Sequence, residues 1–381
     1  MILGYAYPWD FSGDPAAATR AAELGCDTVV LAATYHASRT VSPLHPTRRV
    51  VEVPVSAVYL PLRPEAWRGR RLAPSGPGAP GGVAAFGEAR SALDAAGLDT
   101  AAWIVVTHHD ELGRANPDLV VRNAFGDPYS YALCPSSPEV REYAATLVTE
   151  VVATSEVDRV VLEACGPMGL AHGGVHDKVE FANLAGVAVD LLSICFCASC
   201  ATRFAARGLD ADELARDVRG AFASAVPSVG EALGEDVARA VRDTRAELAA
   251  DLQLAVLDAL APTVTVTIHG SATPGATGSF PEVGAAVLGR VGAVVANAWH
   301  ESSAASEIAG LARLMGEGAH LGAYLRLDRG WDDAAIGARV AQYASAGVDE
   351  WHLYHLGLLS EDGLVTMHRV VEAARAGEGS R

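Results

Sequence analysis

The stretch Leu24-Gly25-Cys26-Asp27-Thr28-Val29-Val30-Leu31-Ala32-Ala33 decides the fold. In it, the amphipathic helix pattern of residues 15–24 ends in a glycine and passes directly into an apolar, β-branched run. Ala346-Gly347-Val348-Asp349 repeats the junction near the other end of the chain. A glycine just past a helix, followed by a buried strand, is typical of the βα repeat.

Short apolar runs recur along the whole chain, with amphipathic helix patterns between them. They lie at residues 2–7, 27–33, 103–107, 159–163, 263–268, 293–297, 321–327 and 351–354. These βα units predict a closed (β/α)₈ TIM barrel of the α/β class. The alternative is a doubly wound open sheet, which usually carries a Gly-rich phosphate loop after its first strand, and the sequence has none there.

The chain is longer than a barrel needs, since a barrel takes about 250 residues. The additional residues fall at about 36–100, after the second strand, and at about 166–260, after the fourth. No linker divides the chain, so we expect residues 1–381 to form one TIM-barrel catalytic domain with elaborated loops after strands 2 and 4.

Composition excludes several classes of protein. The formal net charge of −17 argues against a nucleic-acid partner and against binding to anionic membrane surfaces. The first residues have neither a basic region nor the apolar core of a signal peptide, and no apolar run reaches the length of a spanning helix. We therefore expect a cytoplasmic protein with reduced thiols.

A cluster of cysteines is the most specific motif. Cys195-Phe196-Cys197-Ala198-Ser199-Cys200 places three thiolates at a spacing that suits three ligands of one tetrahedral Zn²⁺. The fourth ligand is either Cys134 or Cys165. Four cysteines leave no open position for water, so such a zinc ion is structural.

Polar and aromatic side chains follow nearly every predicted strand. They are Tyr7, Trp9, Asp10, Tyr35, His36, His108, His109, Asp110, Glu111, Glu163, His269, Asn297, Trp299, His300, Glu301, Arg326, Asp328, Tyr354 and His355. In a barrel, the carboxyl ends of all strands meet at one mouth. Aromatic faces stack on sugar rings, charged side chains bind hydroxyls, and paired carboxylates hydrolyse glycosidic bonds.

Glu163 is the most informative residue of that set. It ends the otherwise apolar run Val160-Val161-Leu162-Glu163, and a buried carboxylate without a partner is costly. A catalytic or a well-paired group is expected there.

Three segments together resemble family 42 of the glycoside hydrolases, the zinc-containing β-galactosidases among the clan A barrels. They are Leu133-Cys134-Pro135-Ser136-Ser137-Pro138, the strand that ends at Glu163, and the cysteine cluster at 195–200. The resemblance covers about residues 100–205. It implies that Cys134 is the fourth zinc ligand and that Glu163 is the general acid/base, with carbohydrate as the substrate and no organic cofactor.

The sequence departs from the family pattern in two places. Leu162 stands where the clan has an asparagine, and the seventh strand ends in Leu325-Arg326-Leu327-Asp328 where the clan has a glutamate nucleophile. Asp328 or Glu301 is then expected as the second carboxylate. We accordingly expect a distant glycosidase, without assigning β-galactosidase activity.

Two other interpretations remain open. His108, Glu163, His269 and His300 together suggest a catalytic metal in an isomerase, aldolase or hydrolase barrel. The absent strand-seven glutamate alternatively suggests a sugar-binding barrel without catalysis. Barrel glycosidases often form homo-oligomers, although no self-complementary patch can be read in the sequence.

Overall fold

The structure is a computed structural model, which describes residues 1–76, 80–171, 178–182, 184, 186–222, 226–316, 318–327, 331 and 335–378. It is a TIM barrel, as the sequence predicts. Its strands are β1 (Ile2–Ala6), β2 (Thr28–Tyr35), β3 (Asp99–Val105), β4 (Arg159–Glu163), β5 (Thr265–His269), β6 (Ala293–Asn297), β7 (His320–Arg326) and β8 (Val348–Tyr354).

Each barrel strand pairs in parallel with its neighbours, and β1 closes the ring by pairing with both β2 and β8. The central residues of the strands are almost entirely buried, which explains their continuous apolar character. The pairing of β3 with β4 sets the position of Glu163 at the mouth. Trp103 of β3 lies opposite Val161 of β4, and Val105 lies opposite Glu163.

Helices connect the strands and cover the outside of the barrel. Their bounds are α1 (Ala17–Glu23), α2 (Ala85–Ala95), α3 (Asp110–Ala115), α4 (Pro138–Ser155), α5 (Gly186–Leu192), α6 (Ala198–Ala206), α7 (Ala211–Phe222), α8 (Val229–Leu233), α9 (Glu235–Ala259), α10 (Ala285–Leu288), α11 (Glu301–Leu314), α12 (Ile336–Ser345) and α13 (Glu361–Glu378).

The two junctions that predict the fold have the expected backbone. Gly25 follows α1 with φ +82°, and Gly347 follows α12 with φ +107°. These left-handed conformations favour glycine and end the helices just before β2 and β8.

The amphipathic pattern of residues 280–291 predicts a helix, but in the structure α10 covers only Ala285–Leu288. Pro281 and Gly284 precede it, and Glu282 instead forms a parallel bridge with Ser271. Proline and glycine both disfavour the interior of a helix, so the segment is extended there.

Both predicted loop elaborations contain regular structure. After β2, Ser38–Val41 and Val50–Val53 form an antiparallel hairpin, and Ala57–Val58 pairs with the end of β2. After β4, helices α5 to α9 follow. A further hairpin, Val120–Arg122 with Pro128–Leu133, lies after β3. No helix in the described ranges is long and apolar enough to cross a membrane.

Candidate active site

Glu163 is the last residue of β4 and lies at the carboxyl end of the barrel with only 6% of its surface exposed. The indole Nε1–H of Trp103 donates a 2.8 Å hydrogen bond to its Oε2 atom. Burial raises the pKa of Glu163 to about 7, although the bond from Trp103 opposes that rise. A carboxyl group with this pKa can both give and take a proton near neutral pH.

Aromatic rings from β1 and β2 form one side of the mouth. Tyr7 stacks on Trp9 with ring centroids 4.5 Å apart, and it also contacts His355 from the end of β8. Tyr35 stacks on His36 at 4.2 Å, and His36 in turn stacks on His108 at 4.3 Å. Faces of this kind bind the apolar face of a sugar ring.

Rings from β6, β7 and β8 form the opposite side. Trp299 stacks on Tyr324 at 5.7 Å and contacts Tyr354 at 5.4 Å. The guanidinium carbon of Arg326 lies 5.3 Å from the centre of the Trp299 ring, within cation–π range. We call the combined set the aromatic mouth, and it consists of Tyr7, Trp9, Tyr35, His36, His108, Trp299, Tyr324, Tyr354 and His355.

Three buried donors of the aromatic mouth have no hydrogen-bond partner in the described part of the chain: Trp9 Nε1, Trp299 Nε1 and His355 Nε2. In His355, Nδ1 accepts a 3.2 Å bond from the Gly357 amide, and burial lowers its pKa to about 3. The single ring proton is therefore on Nε2. Unpaired buried donors are costly, and the hydroxyl groups of a ligand would satisfy them.

Asp10 lies beneath one edge of the mouth. It accepts hydrogen bonds from the Tyr7 amide at 2.8 Å and from the Ser42 hydroxyl at 3.3 Å, and it lies 3.8 Å from His355. Burial raises its pKa to about 7. These bonds tie together the turn after β1, the hairpin after β2 and the loop after β8.

His269, at the end of β5, is fully buried below the mouth. Its ring stacks on Phe280 with centroids 4.6 Å apart, and its Nδ1 lies 3.8 Å from Oε2 of Glu163. It is thus a neighbour of Glu163 in the barrel interior.

Other predicted site residues lie apart from this arrangement. His109 accepts the Leu112 amide as a cap of α3, and its ring lies against Tyr143 of α4. His300 is exposed just before α11, and Glu301 forms an ion pair with Arg339 of α12. Asp328 lies outside the described residues.

The four cysteines come together. The Sγ atom of Cys134 lies 3.8 Å from that of Cys195, 3.7 Å from that of Cys197 and 3.6 Å from that of Cys200. Thiolates around one tetrahedral zinc at about 2.3 Å would lie about 3.8 Å apart. The cluster therefore fits a tetrahedral metal ion, and Cys165 is buried outside it.

A metal site at the mouth finds no such support. Within the described ranges, the cysteine cluster is the one group of three or more His, Cys, Asp or Glu residues whose ligand atoms are close enough for one ion. His108 stacks in the aromatic mouth, His269 lies below it, and His300 points to solvent.

Sequence reasoning missed the buried polar and aromatic residues of the barrel interior that contact Glu163 or connect to it through His269. They are Tyr5, Trp103, Tyr324, Glu350 and His352. Strand alternation was the available signal, because Tyr5 shares a face with Tyr7, and Glu350 and His352 share a face with Tyr354. Polar residues two apart in an apolar strand indicate a polar layer inside the barrel.

The comparisons with known proteins show the fold only. No family model matches the chain, and no curated protein matches it. A β-galactosidase from the psychrophilic Marinomonas ef1 superposes with a TM-score of 0.60 at 10% identity, over 100% of this chain and 60% of that one.

Two other glycosidases superpose similarly. The catalytic domain of a β-amylase from Paenibacillus polymyxa gives a TM-score of 0.55 at 10% identity, over 98% of both chains. α-L-Fucosidase isoenzyme 2 from Paenibacillus thiaminolyticus gives 0.53 at 12% identity, over 100% of this chain and 50% of that one. The chain spans only part of the length of the galactosidase and the fucosidase.

Proposed function

We propose that this chain is a glycoside hydrolase, distantly related to family 42, with residues 1–381 as one catalytic domain. The observation that carries the proposal is the state of Glu163: a carboxyl group with a pKa of about 7, buried at the end of β4 beneath an aromatic mouth. The unpaired donors of that mouth are suited to sugar hydroxyls, and the superposed structures named above are glycosidases.

In the proposed reaction, Glu163 protonates the leaving oxygen of the glycosidic bond. Asp328 or Glu301 acts as nucleophile or as the base that activates water. We favour Asp328, because Glu301 is exposed and engaged with Arg339. Trp9, Trp299 and His355 donate to hydroxyl groups, while Tyr7, His36, His108 and Arg326 complete the sugar-binding surface. Asp10 supports that surface from below.

We further propose that Cys134, Cys195, Cys197 and Cys200 hold a structural Zn²⁺. The ion would brace the hairpin that precedes α4 against α6, and it would take no part in the reaction. His300, which is exposed and lies apart from the aromatic mouth, would contact only a longer substrate, whereas His109, buried as the cap of α3, would hold that helix in place.

The decisive experiment is a panel of chromogenic aryl glycosides assayed with wild type, Glu163→Gln and Glu307→Gln. Glu307 is a carboxylate of α11 on the same face of the barrel that accepts a bond from Ser271, so its variant is the matched control. We expect turnover of at least one glycoside, a loss of at least about 10²-fold in Glu163→Gln, and near-normal rates in the control.

Failure of every glycoside to turn over, with sugar binding retained, would instead indicate a carbohydrate-binding barrel. For an active enzyme, Asp328→Gly and Glu301→Gly assign the second carboxylate, because both truncations leave room for azide. The variant that loses activity and regains it with azide identifies the nucleophile or base, and the anomer of the first product shows retention or inversion.

A further inference from the structure

Four buried polar side chains form one connected chain through the barrel interior, where such barrels are usually packed with aliphatic residues. The Tyr5 hydroxyl lies 2.8 Å from Nε2 of His269 and 3.0 Å from Nδ1 of His352. Nε2 of His352 lies 3.2 Å from Oε2 of Glu350. None of the four is more than 1% exposed.

This chain, which we call the interior relay (His269, Tyr5, His352, Glu350), connects the two ends of β4. At its upper end, Nδ1 of His269 lies 3.8 Å from Glu163, the last residue of that strand. At its lower end, Glu350 lies 3.5 Å from the guanidinium of Arg159, the first residue. The relay therefore runs from the mouth to the base of the barrel.

The surrounding packing fits the relay closely. A Cβ atom at Gly322 of β7 would lie 2.8 Å from Cδ2 of His352, so the glycine makes room for that imidazole. The ring of Phe280 lies parallel to that of His269, with 6° between the planes, and holds it in orientation.

The chemistry of Tyr5 restricts the directions of these bonds. Burial, with a smaller effect of Glu163, holds the pKa of Tyr5 well above its ordinary value, so its hydroxyl is neutral. A neutral hydroxyl has one proton and can donate to only one of its two imidazole neighbours. The other imidazole must then donate to Tyr5.

The charge of Glu350 selects one of the two directions. Burial alone would raise the pKa of Glu350, but the bond from His352 and the charge of Arg159 bring it below its ordinary value. An ionised carboxylate only accepts, so Nε2 of His352 carries a proton. In the opposite direction, His352 would donate to Tyr5 as well as to Glu350 and would carry a second proton. His269 would then turn an N–H toward Glu163, which would be a bare carboxylate. That arrangement separates charge in a buried interior.

We propose that Glu350, at the base of the barrel, acts through His352, Tyr5 and His269 to keep Glu163 protonated at the mouth. His352 donates to Glu350 and accepts from Tyr5, and Tyr5 accepts from Nε2–H of His269. His269 then presents a bare Nδ1 to Glu163, which disfavours the carboxylate and favours the carboxyl. The value of this for catalysis rests on the proposed function, in which Glu163 is the acid, and the four residues are positioning residues.

Other titratable groups face the two ends. Besides His269, the groups that interact with the charge of Glu163 are Tyr5 from β1, Tyr35 from β2, Tyr324 from β7 and Tyr354 from β8. At the base, His320 of β7 and Arg159 of β4 both favour the ionised form of Glu350. Burial lowers the pKa of His269 well below its ordinary value, and a positive charge on His352, which the proposed direction does not place there, would lower it further.

Neutron diffraction from deuterium-exchanged wild-type crystals tests the direction without any substitution. We expect deuterium on Nε2 of both His269 and His352, and none on either Nδ1. Deuterium on Nδ1 of His269 would overturn the proposal.

A substitution tests the consequence for Glu163. Tyr5→Phe leaves Nε2 of His269 without its acceptor, so the ring can move its proton to Nδ1 and stabilise the carboxylate. We expect the pKa of Glu163 to fall by about one unit. The titration is measured from the infrared band of the Glu163 carboxyl group, which is identified as the band that Glu163→Gln removes. Tyr59→Phe is the matched control, because the Tyr59 hydroxyl is buried and has no partner in the described ranges.

An unchanged or raised pKa of Glu163 in Tyr5→Phe would contradict the relay. Neither measurement uses a sugar, so the relay and the glycosidase proposal fail separately. If the enzyme turns over glycosides, Tyr5→Phe should also move the alkaline limb of kcat/KM to lower pH, which a merely structural substitution would not do.

Discussion

Trp103 and Glu163 belong to neighbouring strands, and the indole Nε1–H of Trp103 donates a 2.8 Å hydrogen bond to the carboxyl group of Glu163. Two opposing effects therefore act on that group. Burial favours the neutral carboxyl, whereas a donor aimed at Oε2 favours the carboxylate. The resulting pKa of about 7 places the group where general acid catalysis near neutral pH is efficient.

Removing the indole donor should raise the pKa of Glu163. In Trp103→Phe the effect that lowers the pKa is lost and burial remains, so we expect a rise of about one unit. The infrared carboxyl titration, and the alkaline limb of kcat/KM in an active enzyme, should both move to higher pH. Trp67→Phe is the control, because the indole N–H of Trp67 is buried and has no partner in the described ranges. A fall of the pKa in Trp103→Phe would contradict this account.

Asp10 should make the protein less stable as the pH rises. Its folded-state pKa of about 7 lies above the ordinary value of 3.8, so the folded state holds the proton more tightly than the unfolded state. This contribution is fully present below pH 4 and is lost between about pH 4 and pH 7, at roughly 1.4 kcal/mol per unit at most. Urea unfolding of wild type and Asp10→Asn across this range should give a flatter pH dependence for the variant. Equal slopes would show that Asp10 does not titrate as described.

The sequence predicted the barrel because each βα junction carries its own local signal. The glycines at 25 and 347 end helices, and the apolar runs that follow can be buried on both faces only in a parallel sheet. The position of the candidate site could be predicted from topology alone, since the carboxyl ends of parallel barrel strands meet at one end of the barrel whatever their distance in sequence. That is why Tyr7, Trp9, Tyr35, His36, Trp299 and His355 could be expected at one place.

The partners of Glu163 could not be obtained in the same way. Trp103 looks like an ordinary strand residue, and its indole contacts Glu163 only through the register of β3 and β4. His109 and Glu301 lie at the first turn of a helix, where the direction of the side chain depends on the exact residue at which the helix begins. A shift of one residue there turns a side chain from capping the helix to facing solvent or the mouth. The residues alone left Cys134 and Cys165 open and only the family resemblance implied Cys134, whereas the three-dimensional arrangement brings Cys134 to the other three cysteines.

Loss of one cysteine of the cluster should release the proposed zinc ion. We expect Cys134→Ser to purify with less than one equivalent of zinc. It should also unfold at a lower temperature, with a free energy of unfolding that is lower by on the order of several kcal/mol. Cys165→Ala is the matched control, because Cys165 is equally buried but lies outside the cluster. Metal analysis together with calorimetry distinguishes the two. Full zinc content in Cys134→Ser would assign the metal to other ligands.

In the proposed glycosidase, substitution of Trp299 should weaken sugar binding more than catalysis. Its Nε1–H is buried without a partner in the described ranges, and its ring packs on Tyr324 beneath Arg326. Trp299→Phe keeps an aromatic face and removes the donor, which is worth about 1 kcal/mol in a hydrogen bond. We expect KM to rise about fivefold with kcat nearly unchanged, measured on the glycoside with the highest turnover. A fall in kcat at constant KM would instead place Trp299 in transition-state stabilisation.

Gly322 should be intolerant of even one methyl group, because its neighbour is the imidazole of His352. An alanine Cβ would lie 2.8 Å from Cδ2 and 2.9 Å from Nε2 of that ring, and 3.0 Å from a methyl group of Val295. In Gly322→Ala the ring must move away from Glu350 or Tyr5, and we expect a loss of about 1–3 kcal/mol in the free energy of unfolding. Gly337→Ala is the control, because nothing lies within 4 Å of the added methyl on α12, and alanine favours a helix. If Gly322→Ala unfolds as wild type does and leaves the titration of Glu163 unchanged, the packing around His352 is not what holds the relay in place.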